Sequence, residues 1–321
     1  MDREDQIKTA IVASVVALDA IGMAMLGLRF DWASAWKVII AWPVLMALGW
    51  FYMTWRKDPP VAHLMRETAH LAAFTAAAAM LSYLAAGADR PLIDAALVAA
   101  DRLMLFDWQS YVAFVNEREW LGRVSSLLYI STLPQVALAA ILLPVLGMTE
   151  RARELVLAVM IGALIAILVS AILPSAGALA HFRPDPEFYA RSAPIVDLAY
   201  KDEFFRMRAL EIPVLSLDGA KGLIAFPSYH VTLSVLIALA FRGRPFLFWP
   251  LLALNTGVIL TTPIDGGHHL VDGVAGAAVA VAALHIAVCI RRAIHRPVLA
   301  AEAHAGAADG ERPEAAARAI V

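Results

Sequence analysis

Residues 155–173 read LVLAVMIGALIAILVSAIL, nineteen consecutive positions without an ionisable side chain. About 20 apolar residues in a helix cross the roughly 30 Å hydrocarbon core of a bilayer, where backbone polar groups must be satisfied internally. The run is therefore read as a bilayer-spanning helix. Working outward, comparable blocks follow Lys8 to Leu28 and occupy Trp36–Thr54, Leu71–Ala86, Ser125–Leu146, Tyr229–Phe241, Phe246–Thr261 and His269–Ile290. Eight spans result. The first is too long, and too free of a small-residue cleavage site, for a removable signal peptide. Composition agrees, with 61% of residues hydrophobic and 17% charged, against about 45–50% and 25% in soluble domains. The expected fold is an all-α integral membrane protein, a polytopic bundle of about eight transmembrane helices with one extracytoplasmic interfacial helix.

Sidedness follows from cations in short connections, which stay cytoplasmic. Arg56 and Lys57 follow the second span, Arg151 and Arg153 separate the fourth and fifth, and Arg242 and Arg244 separate the sixth and seventh. Arg291, Arg292 and Arg296 follow the eighth. With eight spans all of these fall on one side. Both termini are then cytoplasmic, and the long segment 174–227 and the turn Pro263–Gly267 face outward. The alanine-rich chain fits a bacterial plasma membrane. His63 and His70 fall toward the cytoplasmic side, while Asp19 and His285 are read as buried polar residues within spans.

Four regions are expected: N-terminal transmembrane helices over 1–88, an interfacial amphipathic helix over 89–123, a helical core over 124–290, and a disordered cytoplasmic tail over 291–321. The interfacial segment mixes Ile93, Leu97, Leu103, Leu105, Trp108 and Tyr111 with Asp94, Asp101, Arg102 and Asp107, which suits a helix lying on the membrane. Packing, not catalysis, is the expected role of its acids. A net charge of −2 gives no basic surplus for a nucleic-acid partner. The single cysteine, Cys289, excludes a disulfide framework and a cysteine metal site.

Ionisable groups at helix ends on one side of a membrane are the first candidates for chemistry. In Phe226-Pro227-Ser228-Tyr229-His230, proline opens a helix and Ser228 and His230 lie in its first turn, where free N–H groups favour an anion. In Asp265-Gly266-Gly267-His268-His269-Leu270-Val271-Asp272, the i to i+4 spacing puts Asp272 on the face of His268. A carboxylate there can accept the ring N–H and fix its tautomer. His269 points elsewhere and is read as a neighbour. Two imidazoles on one side of the membrane could flank one phosphorus atom, one attacking while the other protonates the leaving oxygen. Asp265 either caps its turn or meets a polar head group, and Ser228 caps its helix.

These residues resemble the type 2 phosphatidic acid phosphatase superfamily of metal-independent lipid phosphatases and phosphotransferases. Pro227-Ser228-Tyr229-His230 matches its second signature motif, and His268 with Asp272 its third. The wording, including Thr262-Pro263-Ile264-Asp265-Gly266-Gly267-His268-His269, is similar to the inositol phosphorylceramide synthase-like branch. The resemblance covers about 155–290 and implies His268 as nucleophile, Asp272 as its partner, His230 as general acid and Ser228 as phosphate ligand. It implies a membrane lipid bearing a phosphate as substrate, water or an alcohol or polyol as acceptor, and no cofactor or metal. Thr261-Thr262 replaces the Ser-Arg of the third motif. The first motif, a lysine followed after six residues by Arg-Pro, is read as absent, since Ala176 stands seven before Arg183-Pro184. Phosphate-binding cations are then sought among Lys221, Arg208, Arg206 and Arg183, with Lys221 and Arg208 preferred. Two other classes remain open: a metal or haem protein using His230, His268, His269 and Asp265, and a non-catalytic lipid transporter.

Overall fold

A computed structural model of the protein describes residues 2–189 and 194–308. The chain opens with three long apolar helices, α1 (Arg3–Leu26), α2 (Trp36–Thr54) and α3 (Pro59–Ala86), of which α3 packs against both others. Two short helices, α4 (Asp94–Leu103) and α5 (Trp108–Asn116), lead to α6 (Glu119–Ile130) and α7 (Thr132–Val145). The next long helix, α8 (Thr149–Ile172), is buried over much of its length and meets α3, α7 and two later helices. The extended segment that follows carries α9 (Ala178–Phe182) and α10 (Leu198–Arg208). The chain then builds α11 (Tyr229–Ala240), α12 (Pro245–Asp265) and α13 (Leu270–Ala308). A two-residue parallel ladder joins β1 (Arg29–Phe30) to β2 (Val214–Leu215), tying the exit of α1 to the long segment.

The protein is an all-α polytopic membrane protein. Among the described residues, six helices are long and apolar enough to span, and α6 with α7 makes a seventh if a 43° bend is allowed. The sixth expected span, α11, has 12 residues, a rise of about 18 Å, well short of a full hydrocarbon core. It is a short core helix seated against α8, α12 and α13, yet it runs from Ser228 beside His268 to Arg242, which pairs with Glu154 of α8, so the chain still changes ends along it. Hydropathy reads composition and does not see the bend at Ser131. Exposed Ile21, Ile39, Trp50, Leu168 and Val281 face outward from the bundle, as a lipid-contacting surface requires.

The two ends of the bundle differ in chemistry. At one, the start of α1 meets α3, α8 and α13 in a buried ion network. Lys8, with no exposed surface, lies 2.9 Å from Glu4 and 2.6 Å from Glu67. Arg66 pairs with Asp5 at 2.9 Å, Arg153 with Asp2 at 2.8 Å and Arg291 with Glu4 at 3.1 Å. Each charge is matched, as charges removed from water must be. His70, bonded to Thr9, and His63, near Arg153, belong to this end. Of the arginines used to assign sidedness, Arg153 and Arg291 sit in this network, and Arg151 and Arg242 pair with Glu154 on the same helix as Arg153.

The opposite end carries the long segment and α4 and α5. One interfacial helix was expected over 89–123, and two occur. The chain turns at Leu105, whose φ is 57°, and Asp107 caps α5 through the N–H of Ser110 at 2.7 Å. Trp108 is buried, stacks on Phe182 with ring centroids 5.4 Å apart and donates its indole N–H to Pro263 O at 2.8 Å. The segment thus roofs the end of α12. Asp19 is buried on α1 as expected, whereas His285 is exposed, its Nε2 3.6 Å from Cys289 Sγ. The helix α13 continues to Ala308 through residues expected as tail, and 309–321 lie outside the described residues.

Candidate active site

Ser228 begins the site. It is the N-cap of α11, fully buried, with its side chain accepting from Val231 N–H at 3.5 Å and its own N–H donating to Asp272 O at 3.0 Å. That last bond joins the start of α11 to the first turn of α13. The approach needs Gly276, because a Cβ there would collide with Ser228 O. Thr232 Oγ1 then donates to Gly276 O at 2.9 Å, closing the contact. The small-residue face of α13 is a packing face, as its spacing predicts.

His268 lies in the resulting crevice with 4% of its surface exposed. Its Nδ1 stands 3.1 Å from Asp272 Oδ2 and its Nε2 3.4 Å from Ser228 Oγ. Asp272 is fully buried and also accepts the N–H of His269 at 2.9 Å. One ring nitrogen is thus committed to a carboxylate while the other points at the helix cap. This arrangement holds an imidazole in a single tautomer with Nε2 available to react. His230 follows on α11, near enough to His268 for their charges to interact. Its ring stacks on Tyr129 of α6 with centroids 4.3 Å apart, and Tyr129 Oη lies 3.3 Å from Nδ1.

Other expected site residues are turned elsewhere. Asp265 is fully buried and accepts from Ser125 Oγ, from Ser126 Oγ at 2.8 Å and from Ile195 N–H at 3.4 Å. Its oxygens are spent joining α6 to the end of α12, so it neither caps its own turn nor reaches outward. Lys221 is exposed, with its ammonium 3.9 Å from Glu203 and over the Tyr200 ring. Arg208 donates to Asp89 at 2.8 Å and to Arg90 O at 2.7 Å, and Nη1 is buried without a hydrogen-bond partner among the described residues. Arg206 is exposed, and Arg183 lies over the Phe205 ring. None of these cations is brought against His268. The donors of the metal or haem reading also diverge: Asp265 faces α6, His230 faces Tyr129, and His269 faces α4.

The structure brings in a cation that the sequence reading missed. Lys201 on α10 is buried at 6% exposure, and no carboxylate among the described residues stands within the 4.0 Å of an ion pair. Its Nζ would lie 3.0 Å from a Cβ on Gly177, and its Cε 3.6 Å from one on Gly267, the residue before His268. Gly177, at φ 87°, must be glycine, since a Cβ would also stand 2.6 Å from Gly267 O. Lys201 also lines a narrow cleft with Ser175, Tyr200, Gly222 and Ala225. Burial lowers its pKa to about 8, against the opposing pull of Asp272 and Asp94. The signal was present in the sequence: Arg208 follows Lys201 with six residues between them, and Ala209 comes next. Requiring a proline after the arginine hid the lysine and six-residue spacing.

The N-terminus of α13 differs from expectation too. Asp101 accepts the N–H groups of Leu270 and Val271 at 3.2 and 2.9 Å, and Asp272 takes that of His269. These amides are occupied and cannot serve an anion. At α11, the first-turn amides of Tyr229 and His230 have no intrahelical acceptor, as at any helix start.

The family model described as PAP2 superfamily matches residues 95–286. No curated protein and no solved structure matches the chain at a significant level. The matched span begins in α4, includes every residue placed around His268 and ends within α13, leaving α1–α3 outside it.

Proposed function

The chain belongs to the PAP2 superfamily, whose members are generally phosphatases or phosphotransferases, and from that premise we propose that it cleaves a phosphate ester of a membrane lipid through a phosphohistidine. The observation that carries this reading is the double engagement of His268, with Asp272 at Nδ1 and Ser228 at Nε2. Nε2 of His268 attacks phosphorus, a P–N bond forms, and the P–O ester bond breaks. His230 gives its proton to the departing alkoxide, which would otherwise leave as a strong base. In the second half, water or an alcohol attacks the phosphohistidine, His230 takes the proton, and the imidazole of His268 departs.

Negative charge gathers on the phosphoryl oxygens as the bonds exchange, and groups already aimed there lower the barrier. Ser228 Oγ–H, the free amides at the start of α11 and the ammonium of Lys201 supply them. Asp272 keeps the tautomer and stabilises the imidazolium as it forms. No step uses a metal or cofactor. Arg208, Lys221 and Asp265 act by holding the outer segment around this centre rather than by touching phosphate.

The motif wording resembles the inositol phosphorylceramide synthase-like branch, which favours an alcohol acceptor over water. The assay separating the two incubates purified protein with labelled phosphatidic acid, with and without a polyol, and follows inorganic phosphate and lipid products. A hydrolase releases phosphate, a transferase gives a new phospholipid, and no product of either kind sinks the reading.

The site faces outward from a bacterial plasma membrane, with the arginine pole and both termini cytoplasmic. Exposed Lys221 and Arg244, each replaced by cysteine in a Cys289→Ser background, report this. A membrane-impermeant maleimide is expected to label Lys221→Cys in intact cells and Arg244→Cys only after lysis. The reverse pattern would invert the topology.

A further inference from the structure

His269 has 1% of its surface exposed and stands beside His268, yet points away from it into α4. Its Nε2 lies 3.5 Å from Asp94 Oδ1 and its Nδ1 3.4 Å from Asp101 Oδ2. Residues 94 and 101 are about two helical turns apart, so both acids share one face of α4. Each holds a second piece of backbone. Asp94 accepts Ser175 Oγ–H at 2.8 Å and the N–H groups of Ala176 and Gly177 at 3.1 and 2.9 Å. Asp101 accepts the first amides of α13. Between these anchors, Leu179 N–H donates to Gly267 O at 3.3 Å. The turn bearing His268 is therefore gripped on both flanks by one short helix, with the ring of His269 in the middle.

Two buried carboxylates on one face repel each other, and a cation between them relieves that repulsion. We propose that His269, as an imidazolium bridging Asp94 and Asp101, is a positioning residue that locks α4 to the Gly267–His268 turn and so sets the line of attack of His268. The inference rests on the reading of His268 as nucleophile. Burial disfavours charge on the ring, but Asp101 and Asp94, with Asp272 farther off, outweigh it and push its pKa up to about 9. Among the described residues, His181 of α9 also faces it, with ring centroids 6.2 Å away, and Lys201 of α10 lies beside Gly267, two residues before it. Below pH 9 the clamp is charged and closed, and above it the acids are left unpaired.

His269→Gln keeps a polar side chain and removes the charge. Its kcat on phosphatidic acid in detergent micelles is expected to fall about 100-fold, the scale of a misplaced reacting group, with KM changed less than about three-fold. A peptide covering 266–272 should exchange its amide hydrogens at least about ten-fold faster than in the wild type. Asp94→Asn, which leaves His269 paired with Asp101, is the second variant and should show both effects in milder form. In the wild type, kcat and the protection of that peptide should decline together as pH rises through about 9. A folded His269→Gln protein with kcat within two-fold of wild type, or unchanged exchange over 266–272 in both variants, overturns the clamp. Exchange is read without substrate, so a wild-type protein inactive on lipid phosphates would count against the proposed function while the clamp is still measured.

Discussion

Purified His268→Ala protein is expected to lose phosphoryl transfer by at least about four orders of magnitude, because removing a nucleophile abolishes the covalent route rather than slowing one step of it. The fold should persist. His268 contributes little to the packing that seats α13 on α11, which rests on Gly276, Thr232 and the Ser228 N–H bond to Asp272 O. Equal thermal stability with absent turnover would separate chemistry from structure. A lipid transporter using the same polar helix ends would keep most of its function in this variant, and near-wild-type turnover would remove the enzymatic reading.

The second large effect is expected at Lys201. Replacing it with methionine keeps the length of the side chain and deletes the only buried ammonium beside Gly267 among the described residues. Losing one preorganised charge donor to a developing oxyanion costs about 100- to 1,000-fold in rate, and kcat/KM should fall by that factor. The pH dependence has a definite sign. Burial brings the ammonium down to about 8, so the cation is present below that value and lost as pH rises through it. KM of the wild type should rise above pH 8. Lys201→Arg, which stays charged, should carry low KM to higher pH, whereas an unchanged alkaline limb would mean another group binds the phosphate. This limb in KM is distinct from the one in kcat assigned to His269.

Much of the architecture was legible because bilayer helices announce themselves by composition. The ends of α2 at Trp36 and Thr54 were read directly, and α8 lies within three residues of its nineteen-residue core on the C-terminal side. What composition does not carry is geometry within an apolar run. The bend between Ile130 and Thr132 and the shortness of α11 depend on how neighbouring helices pack. The contact between His268 and Asp272 was legible because helical periodicity alone places i and i+4 side by side. Ser228 could be placed at a helix start, but its closeness to His268 needed the crossing of α11 and α13.

The acids of α4 show where local reading fails. Asp94 and Asp101 look like the polar face of a surface helix, and only long-range folding reveals that both are buried against backbone 80 to 170 residues away. Lys201 was hidden differently, by demanding a proline that this chain replaces with Ala209. The preferred cations are engaged with other groups in the structure. Arg208 and Lys221 lie near carboxylates of their own, Asp89 and Glu203, and charges so paired have little drive to leave for a substrate.

The central claim is that phosphorus becomes covalently bound to His268 during turnover. Wild-type protein mixed with a labelled lipid phosphate, quenched in alkali within the first turnover and digested for mass spectrometry, reports it directly. A phosphoryl group on the peptide carrying His268, absent from His268→Ala and slow to form in His230→Ala, is the predicted result. Label on another residue, or product formed with no phosphorylated peptide at any time point, would contradict the account.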